Sequence, residues 1–192
     1  MNSLLQPKHG SLPDASLESA TGSGRLAPTN PEWTLGDHLG AIGVRLNIGR
    51  MRYRVTPGLY AFGSPGSDAL VFVSANYKLS FDHLRRSLAG MNAWILVLDT
   101  DGINVWCAAG KGTFGTEELV RRIRECRLHE RVTHRRVIVP QLGAPGVSAH
   151  EVGKQTGFAV VYGPVHAADI AAFVQAGLNA TPEMRRVDFR WR

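Results

Sequence analysis

Short apolar runs alternate with amphipathic stretches along the chain from residue 51 onward. Runs of strand length occur at 69–77, 92–100, 135–141 and 158–165, and stretches with one apolar helical face occur at 80–90, 116–128, 147–157 and 167–179. The apolar runs are nearly continuous, which is typical of strands buried on both faces. Strand–helix units joined by short links predict an α/β, Rossmann-like domain with a mostly parallel sheet and helices on both faces. An alternating segment at 184–191 predicts a closing edge strand.

The same pattern indicates where a site should lie. In such sheets ligands bind at the carboxyl ends of the strands. We therefore expect a site in the loops that follow Val73, Leu98, Val139 and Val161. Residues 1–31 are rich in Ser, Gly, Pro and Ala and lack hydrophobic periodicity, which predicts a disordered leader before an ordered domain at 32–192.

Composition narrows the class of protein. The 192 residues are 44% hydrophobic and 20% charged, as in ordinary globular domains. The net charge is +6, but the basic residues are scattered and no nucleic-acid-binding motif accompanies them, so nucleic acid is not an expected partner. The two cysteines, Cys107 and Cys126, form no disulfide framework, which predicts a reducing, cytoplasmic compartment. No apolar run is long enough to cross a bilayer.

The stretch "GINVWCAAGKGTFGT", residues 102–116, carries the candidate chemistry. Asn104 can cap a helix and Gly110 can end one, so a short cap helix is predicted with Cys107 in its first turn. The helix dipole and free amides there favour a thiolate, which is a soft metal ligand and a strong nucleophile. A small buried cysteine in a core turn fits the local sequence as well.

Two enzymatic alternatives concern this stretch. A phosphate-binding loop is excluded because Val105 and Gly112 stand where its first glycine and its Ser/Thr belong. A thiol hydrolase, in which Cys107 pairs with a histidine, stays open although no local motif supports it. Three histidines follow the cysteine: His134, His150 and His166.

Five segments carry a resemblance to a known family: "ANYKLSFD", "AWILVLDTDGINVWC", "NVWCAAGKGTFGT", "PQLGAPGV" and "YGPVHAADI". They closely resemble the corrinoid proteins of bacterial and archaeal mercury methylation, the HgcA family, over about residues 33–192. The motif at 104–110 is highly specific to that family. The chain is more distantly similar to the cobamide-binding domain of the corrinoid iron–sulfur protein of the acetyl-CoA pathway. That relative has a four-cysteine cluster domain for which this chain has no residues, so mercury methylation is favoured.

The resemblance implies a cobalamin cofactor with its nucleotide base displaced from cobalt. It implies that Cys107 is the lower axial cobalt ligand and the catalytic residue. A thiolate there raises electron density on cobalt, which helps a methyl group leave with its bonding electrons for attack on Hg(II). Further contacts to the corrin, its side chains or its nucleotide tail are implied for Ser74, Ser80, Asn104, Val105, Trp106 and Ala167.

Two of these assignments compete with simpler ones. Ser80 suits a plain helix cap nearly as well as a cofactor contact. Lys111 either binds a corrin amide or phosphate or is solvated.

The resemblance also implies partners. A ferredoxin-like protein with two iron–sulfur clusters (HgcB) would supply electrons, a methyl donor protein would load the cofactor, and Hg(II) would be the substrate. Members of the family continue into a membrane-embedded C-terminal region, so membrane attachment is expected only through that region, which this chain lacks. The alternative function is a corrinoid methyl carrier of an acetyl-CoA-type pathway without mercury activity.

Overall fold

The computed structural model describes residues 27–29 and 54–187. The strands in these ranges are β1 (Ala27–Thr29), β2 (Gly58–Phe62), β3 (Val71–Ala75), β4 (Ala93–Leu98), β5 (Arg136–Val139) and β6 (Ala159–Tyr162). They form one sheet in the order β1-β2-β4-β3-β5-β6. The pair of β2 with β4 is antiparallel, and the other neighbouring pairs are parallel. The predicted mostly parallel sheet is confirmed.

The α-helices of the described ranges are α1 (Lys78–Ser87), α2 (Val105–Lys111), α3 (Thr116–Glu125), α4 (Leu128–Arg131), α5 (Ala149–Thr156) and α6 (Ile170–Gln175). Short 3-10 turns occur at Gln141–Gly143, Ala167–Asp169 and Glu183–Arg185. The short helix α2 is the predicted cap helix.

The core lies on both faces of the sheet because side chains alternate along each strand. Val71 and Val73 of β3 belong to one apolar cluster, which Leu119 of α3 completes. Phe72, between them, belongs to the opposite cluster with Phe81 of α1. Each fully buried side chain of this size contributes about 1.5–3 kcal/mol. Helices on both faces, as predicted, are therefore what the alternation requires.

Several predicted boundaries differ from the structure. Helix α1 begins at Lys78 with Tyr77 as its N-cap, so Ser80 lies inside the helix and does not cap it. Gly110 lies within α2, which ends at Gly112 in the left-handed conformation (φ 82°). Gly115 is the N-cap of α3, directly before the predicted helical stretch at 116–128. A glycine is a helix terminator only where φ is positive, and a pattern of residue types does not show φ.

The predicted closing strand at 184–191 is not formed where the structure describes it. Glu183–Arg185 is a 3-10 turn, and residues 188–191 lie outside the described residues. The carbonyl oxygen of Met184 accepts a hydrogen bond from the Val165 N–H at 2.8 Å. The segment therefore pairs with the loop after β6 and not with a sheet edge.

The predicted leader at 1–31 lies outside the described residues except at Ala27–Thr29. These three residues pair in parallel with Tyr60–Phe62 of β2. An open strand edge offers unpaired backbone groups that a short segment can satisfy without any hydrophobic periodicity. Within the described ranges, no helix combines the length and apolar character needed to cross a membrane.

The order of the strands creates a switch point beside β3. From β3 the chain passes through α1 to β4 on one side, and later returns to β5 on the other side of β3. Connections that leave in opposite directions open a crevice at the carboxyl ends of the two central strands, where α/β proteins bind ligands.

Candidate functional site

A cavity of about 870 Å³ opens at this switch point. Val73 and Ser74 of β3 border it on one side, and Ile138 and Pro140 bring the end of β5 to it. The remaining walls come from α1, the start of α2 and the loop after β6. Its size and mixed lining, mostly apolar with a few polar groups, are typical of small-molecule and cofactor sites.

Most of the predicted cofactor contacts come together at this cavity. It is lined by Ser74, Ser80, Asn104, Val105, Trp106 and Ala167. These residues come from four separate segments of the chain, so it is the fold that assembles them. Cys107 and Lys111 do not line the cavity and are exposed on α2, whose first residues Val105 and Trp106 do line it.

Local hydrogen bonds set the start of α2. The Asn104 side-chain oxygen accepts a hydrogen bond from the Cys107 N–H at 3.0 Å, and the Asn104 carbonyl accepts one from Ala108 at 2.9 Å. The predicted N-cap is therefore confirmed, and such caps contribute about 1 kcal/mol. The cap bond also fixes the backbone of the cysteine relative to the cavity.

The exposed side of α2 is open beside Gly110. Val105, Ala108 and Ala109 face the core, whereas Trp106 is 54% exposed and Cys107 is exposed. Gly110 lies three residues after Cys107 on the same face, and a Cβ built there would meet no atom within 4 Å. The residues Trp106, Cys107, Gly110 and Lys111 are called the open face below. A flat ligand could lie on this face and contact the sulfur.

Two glycines of the loop after β5 allow α2 to pack closely against that loop. A side chain at Gly146 would lie 3.2 Å from the Cα of Ala109 and would collide with the carbonyl oxygen of Phe114. A side chain at Gly143 would collide with the Phe114 ring. The "GAPG" part of this loop therefore lets α2 pack closely against the body of the domain. These glycines belong to a segment that carries the family resemblance, but their packing role was not visible in the sequence.

A buried asparagine, also missed, holds the turn that leads to α2. Asn76, 3% exposed, follows β3 directly. Its side-chain oxygen accepts hydrogen bonds from the Thr100 N–H (3.1 Å), the Thr100 hydroxyl (2.8 Å) and the Gly102 N–H (2.9 Å). Its amide donates to the Asp99 carboxylate at 3.0 Å. An asparagine at the end of a fully apolar run was the available signal.

The structure decides between two local alternatives for Cys107. The buried core cysteine is wrong because the residue is exposed. The thiol hydrolase gains no support. The ring of His134 is 2.9 Å from the Ala69 carbonyl before β3, at the end of the sheet opposite the cavity. His166 does line the cavity, whereas the thiol lies outside it.

Comparison with known proteins identifies a family to which most of the chain is similar. Residues 47–174 match the family of the CO dehydrogenase/acetyl-CoA synthase delta subunit. The gamma subunit of an acetyl-CoA decarbonylase/synthase complex from Archaeoglobus fulgidus is 32% identical over 139 residues, which cover 70% of this chain and 29% of that protein. The corrinoid/iron-sulfur protein large subunit of Moorella thermoacetica is 29% identical over 127 residues, or 65% of this chain and 28% of that protein.

A third relative, the gamma subunit from Methanopyrus kandleri, is 29% identical over 123 residues, which cover 63% of this chain and 26% of that protein. The chain thus spans less than a third of the length of each of these relatives. The more distant of the two predicted resemblances, to the corrinoid iron–sulfur protein, is confirmed. The resemblance to the mercury-methylation family stays a prediction.

Proposed function

The chain belongs to the family of the CO dehydrogenase/acetyl-CoA synthase delta subunit, and from this premise we propose that it binds a corrinoid and carries a methyl group on it. The observation that carries the proposal is the exposed Cys107 thiol on the open face, directly after Trp106, which lines the cavity at the switch point of the sheet. When bound, a corrinoid supplies a cobalt centre that can hold a methyl group.

The residues present fit such a group. The open face offers a soft sulfur donor with no side chain on Gly110 to hold a flat ring away from it. Trp106 offers an aromatic wall at the edge of the cavity, where Ser74 and Ser80 provide hydroxyl groups. Cys107 would hold the metal, while the other three residues would hold the ring, its side chains or its nucleotide tail.

The domain also positions the sulfur rigidly. The Asn104 cap fixes the first turn of α2, and the Asn76 network fixes the turn before it. Close packing against Gly143 and Gly146 fixes the buried side of the helix. A ligand atom held on a braced element loses little further freedom on binding, which favours affinity. Cys107 is therefore well placed to be the protein's ligand to the metal.

Two acceptors of the methyl group are consistent with this proposal. The names of the relatives favour an acetyl-CoA-type pathway, in which this domain would pass the methyl group to another protein. The exposed thiol of Cys107 favours Hg(II), because a sulfur ligand increases the electron density of the metal. In that case the reductant would be a ferredoxin-like iron–sulfur protein, as the mercury-family resemblance implies.

Protection from alkylation tests the corrinoid proposal without any turnover. In the native domain we expect iodoacetamide to modify Cys107 rapidly, because it is exposed. Cys126 should react slowly, because it is half-buried and burial raises the pKa of its thiol. Added corrinoid should protect Cys107 and leave the rate at Cys126 unchanged. Equal rates at Cys107 with and without corrinoid would contradict the proposal.

The acceptor is tested by product analysis. The loaded domain is incubated with Hg(II) in a thiol buffer, or with a nickel-cluster protein of the acetyl-CoA type, and the methylated product is measured. Methylmercury that the parent forms and Cys107→Ala does not form would support mercury as the acceptor. Cys107→Ala should fold, since alanine fits a helical turn. A Cys107→Ala variant that methylates mercury as well as the parent would refute the role of the thiol.

A further inference from the structure

Part of the cavity wall is apolar and belongs to the core of the domain. Phe72 of β3, Leu84 of α1, Ile138 of β5 and Ile170 of α6 line the cavity, and each is 8% exposed or less. All four belong to the same core cluster. These four residues are called the apolar floor below. A ligand that reaches the apolar floor gains from burying apolar surface there.

The apolar floor offers few hydrogen-bonding groups. Phe72 and Ile138 are register partners on adjacent strands. Both β3 and β5 have a neighbouring strand on each side, so their backbone groups are engaged in the sheet. The next side chain on the same face of β3 is Ser74, and its hydroxyl donates a hydrogen bond to the Ala75 carbonyl at 3.3 Å. A polar group buried against the floor would lose water without gaining a partner, which is unfavourable.

One part of a corrinoid fits this floor. On the function proposed above, cobalt lies at Cys107, which is exposed and does not line the cavity. The ring then lies on the open face. Its nucleotide base, displaced from cobalt, is the flat apolar part that is left to enter the cavity, which Val105 and Trp106 at the start of α2 also line.

Resting on that function, we propose that the apolar floor receives the displaced base and selects among cobamides by its polarity, with Ile138 as a specificity-determining residue. Dimethylbenzimidazole, the base of cobalamin, presents methyl groups, which gain from burial against Phe72 and Ile138. Adenine presents an amino group and additional ring nitrogens, which find no partner on the floor. The domain therefore favours a dimethylbenzimidazole over an adenine.

The test compares cobalamin with the cobamide that carries adenine in place of dimethylbenzimidazole. Dissociation constants are measured by equilibrium dialysis for the parent, Ile138→Thr and Ile138→Val. Threonine and valine have nearly the same shape and both suit a strand, so the two variants differ mainly by one hydroxyl group on the floor.

The ratio of the two dissociation constants in each protein is the quantity to compare. Displacing the base from cobalt costs a different amount in the two cobamides, but that cost is the same for every variant. A fraction of unfolded protein also weakens both cobamides equally. Differences in this ratio between variants therefore report the contact of the base with the floor.

We expect Ile138→Thr to reduce the preference for cobalamin by about three- to tenfold relative to Ile138→Val, because the added hydroxyl gives adenine one hydrogen-bond partner. Ile138→Val should keep the preference of the parent within about twofold. Cobinamide, which lacks the base, should bind the parent about fivefold or more weakly than cobalamin does. This last comparison needs no variant, so it also applies where Ile138→Thr does not fold.

Two results would overturn the inference. The first is the same preference in Ile138→Thr and Ile138→Val, which would place the base away from the apolar floor. The second is cobinamide that binds the parent as tightly as cobalamin, which would show that the cavity holds no base. A parent that binds none of the three corrinoids would instead refute the function proposed above.

Discussion

Substitutions at Gly110 should change the stability of the domain and its binding of a corrinoid in opposite directions. It is a helical residue of α2 without a positive φ, and a Cβ built there meets nothing within 4 Å. Glycine in a helix costs about 0.5–1 kcal/mol relative to alanine. By stability alone, position 110 should therefore hold alanine. We expect this open position to leave room for a ligand on the open face.

The expected magnitudes follow from this geometry. Gly110→Ala should stabilise the free domain by about 0.5–1 kcal/mol, or about 1–4 °C in Tm for a chain of this size. Gly110→Leu should also fold, because leucine is a good helix former and the site is open. Its side chain would lie beside Cys107 and hold a flat ring away from the sulfur. Overpacking of about 1–3 kcal/mol should weaken corrinoid binding by roughly 5- to 150-fold.

The assay combines thermal unfolding of the free domain with equilibrium dialysis of the corrinoid. Gly153→Ala in α5 is the matched control, because that glycine is also helical and its Cβ would make only an ordinary contact, 3.7 Å from the Phe158 carbonyl oxygen. It should stabilise similarly and leave corrinoid binding unchanged. Gly112→Ala should destabilise, because φ is 82° there. The reasoning is wrong if Gly110→Leu binds corrinoid as tightly as the parent, or if Gly110→Ala lowers the Tm.

Two further predictions test how the site is held in place, and a third concerns a buried tyrosine of the core. Asn76→Ala should cost about 2–3 kcal/mol, measured by urea unfolding, because it leaves the Thr100 N–H and the Gly102 N–H without a partner, while the Thr100 hydroxyl keeps the Ile103 carbonyl at 2.7 Å; a loss below about 1 kcal/mol would contradict this. Asn104→Ala should cost about 1 kcal/mol and should also weaken corrinoid binding, and unchanged binding would show that the cap bond does not position the cysteine. Burial raises the pKa of Tyr60 from 10.0 to about 12, so the folded state favours the neutral phenol. Stability from this group is complete below pH 10 and falls by about 2–3 kcal/mol as the pH rises from 10 to 12, and Tyr60→Phe should remove that fall in unfolding measured across this range.

The sheet and the helices on both faces could be predicted because their signal is local. Continuous apolar runs such as "WILVL" in β4 allow few other structures, and helical faces such as that of α3 repeat at a clear spacing. Helix ends were harder. Whether Gly110 or Gly112 ends α2 depends on which of them has a positive φ, and both are glycine in the sequence.

Some residues of the candidate site could likewise be predicted from local sequence, and others could not. Asn104 and Cys107 were visible from the sequence because a cap and a first-turn cysteine are close neighbours along the chain. The role of Asn76 was not visible, because its partners Thr100 and Gly102 follow it by 24 and 26 positions. The cavity was equally hidden, since α1 and the loop after β6 line it together only once the chain has folded.

The ultraviolet–visible spectrum of the domain reconstituted with cobalamin tests the central claim most directly, with the parent measured beside Cys107→Ala. We predict that the parent binds cobalamin with its nucleotide base displaced and with a sulfur-to-cobalt absorption, and that Cys107→Ala loses this absorption while its fold is kept. An identical spectrum from both proteins would leave a corrinoid domain but contradict the role of Cys107. No binding by either protein would contradict the corrinoid site itself.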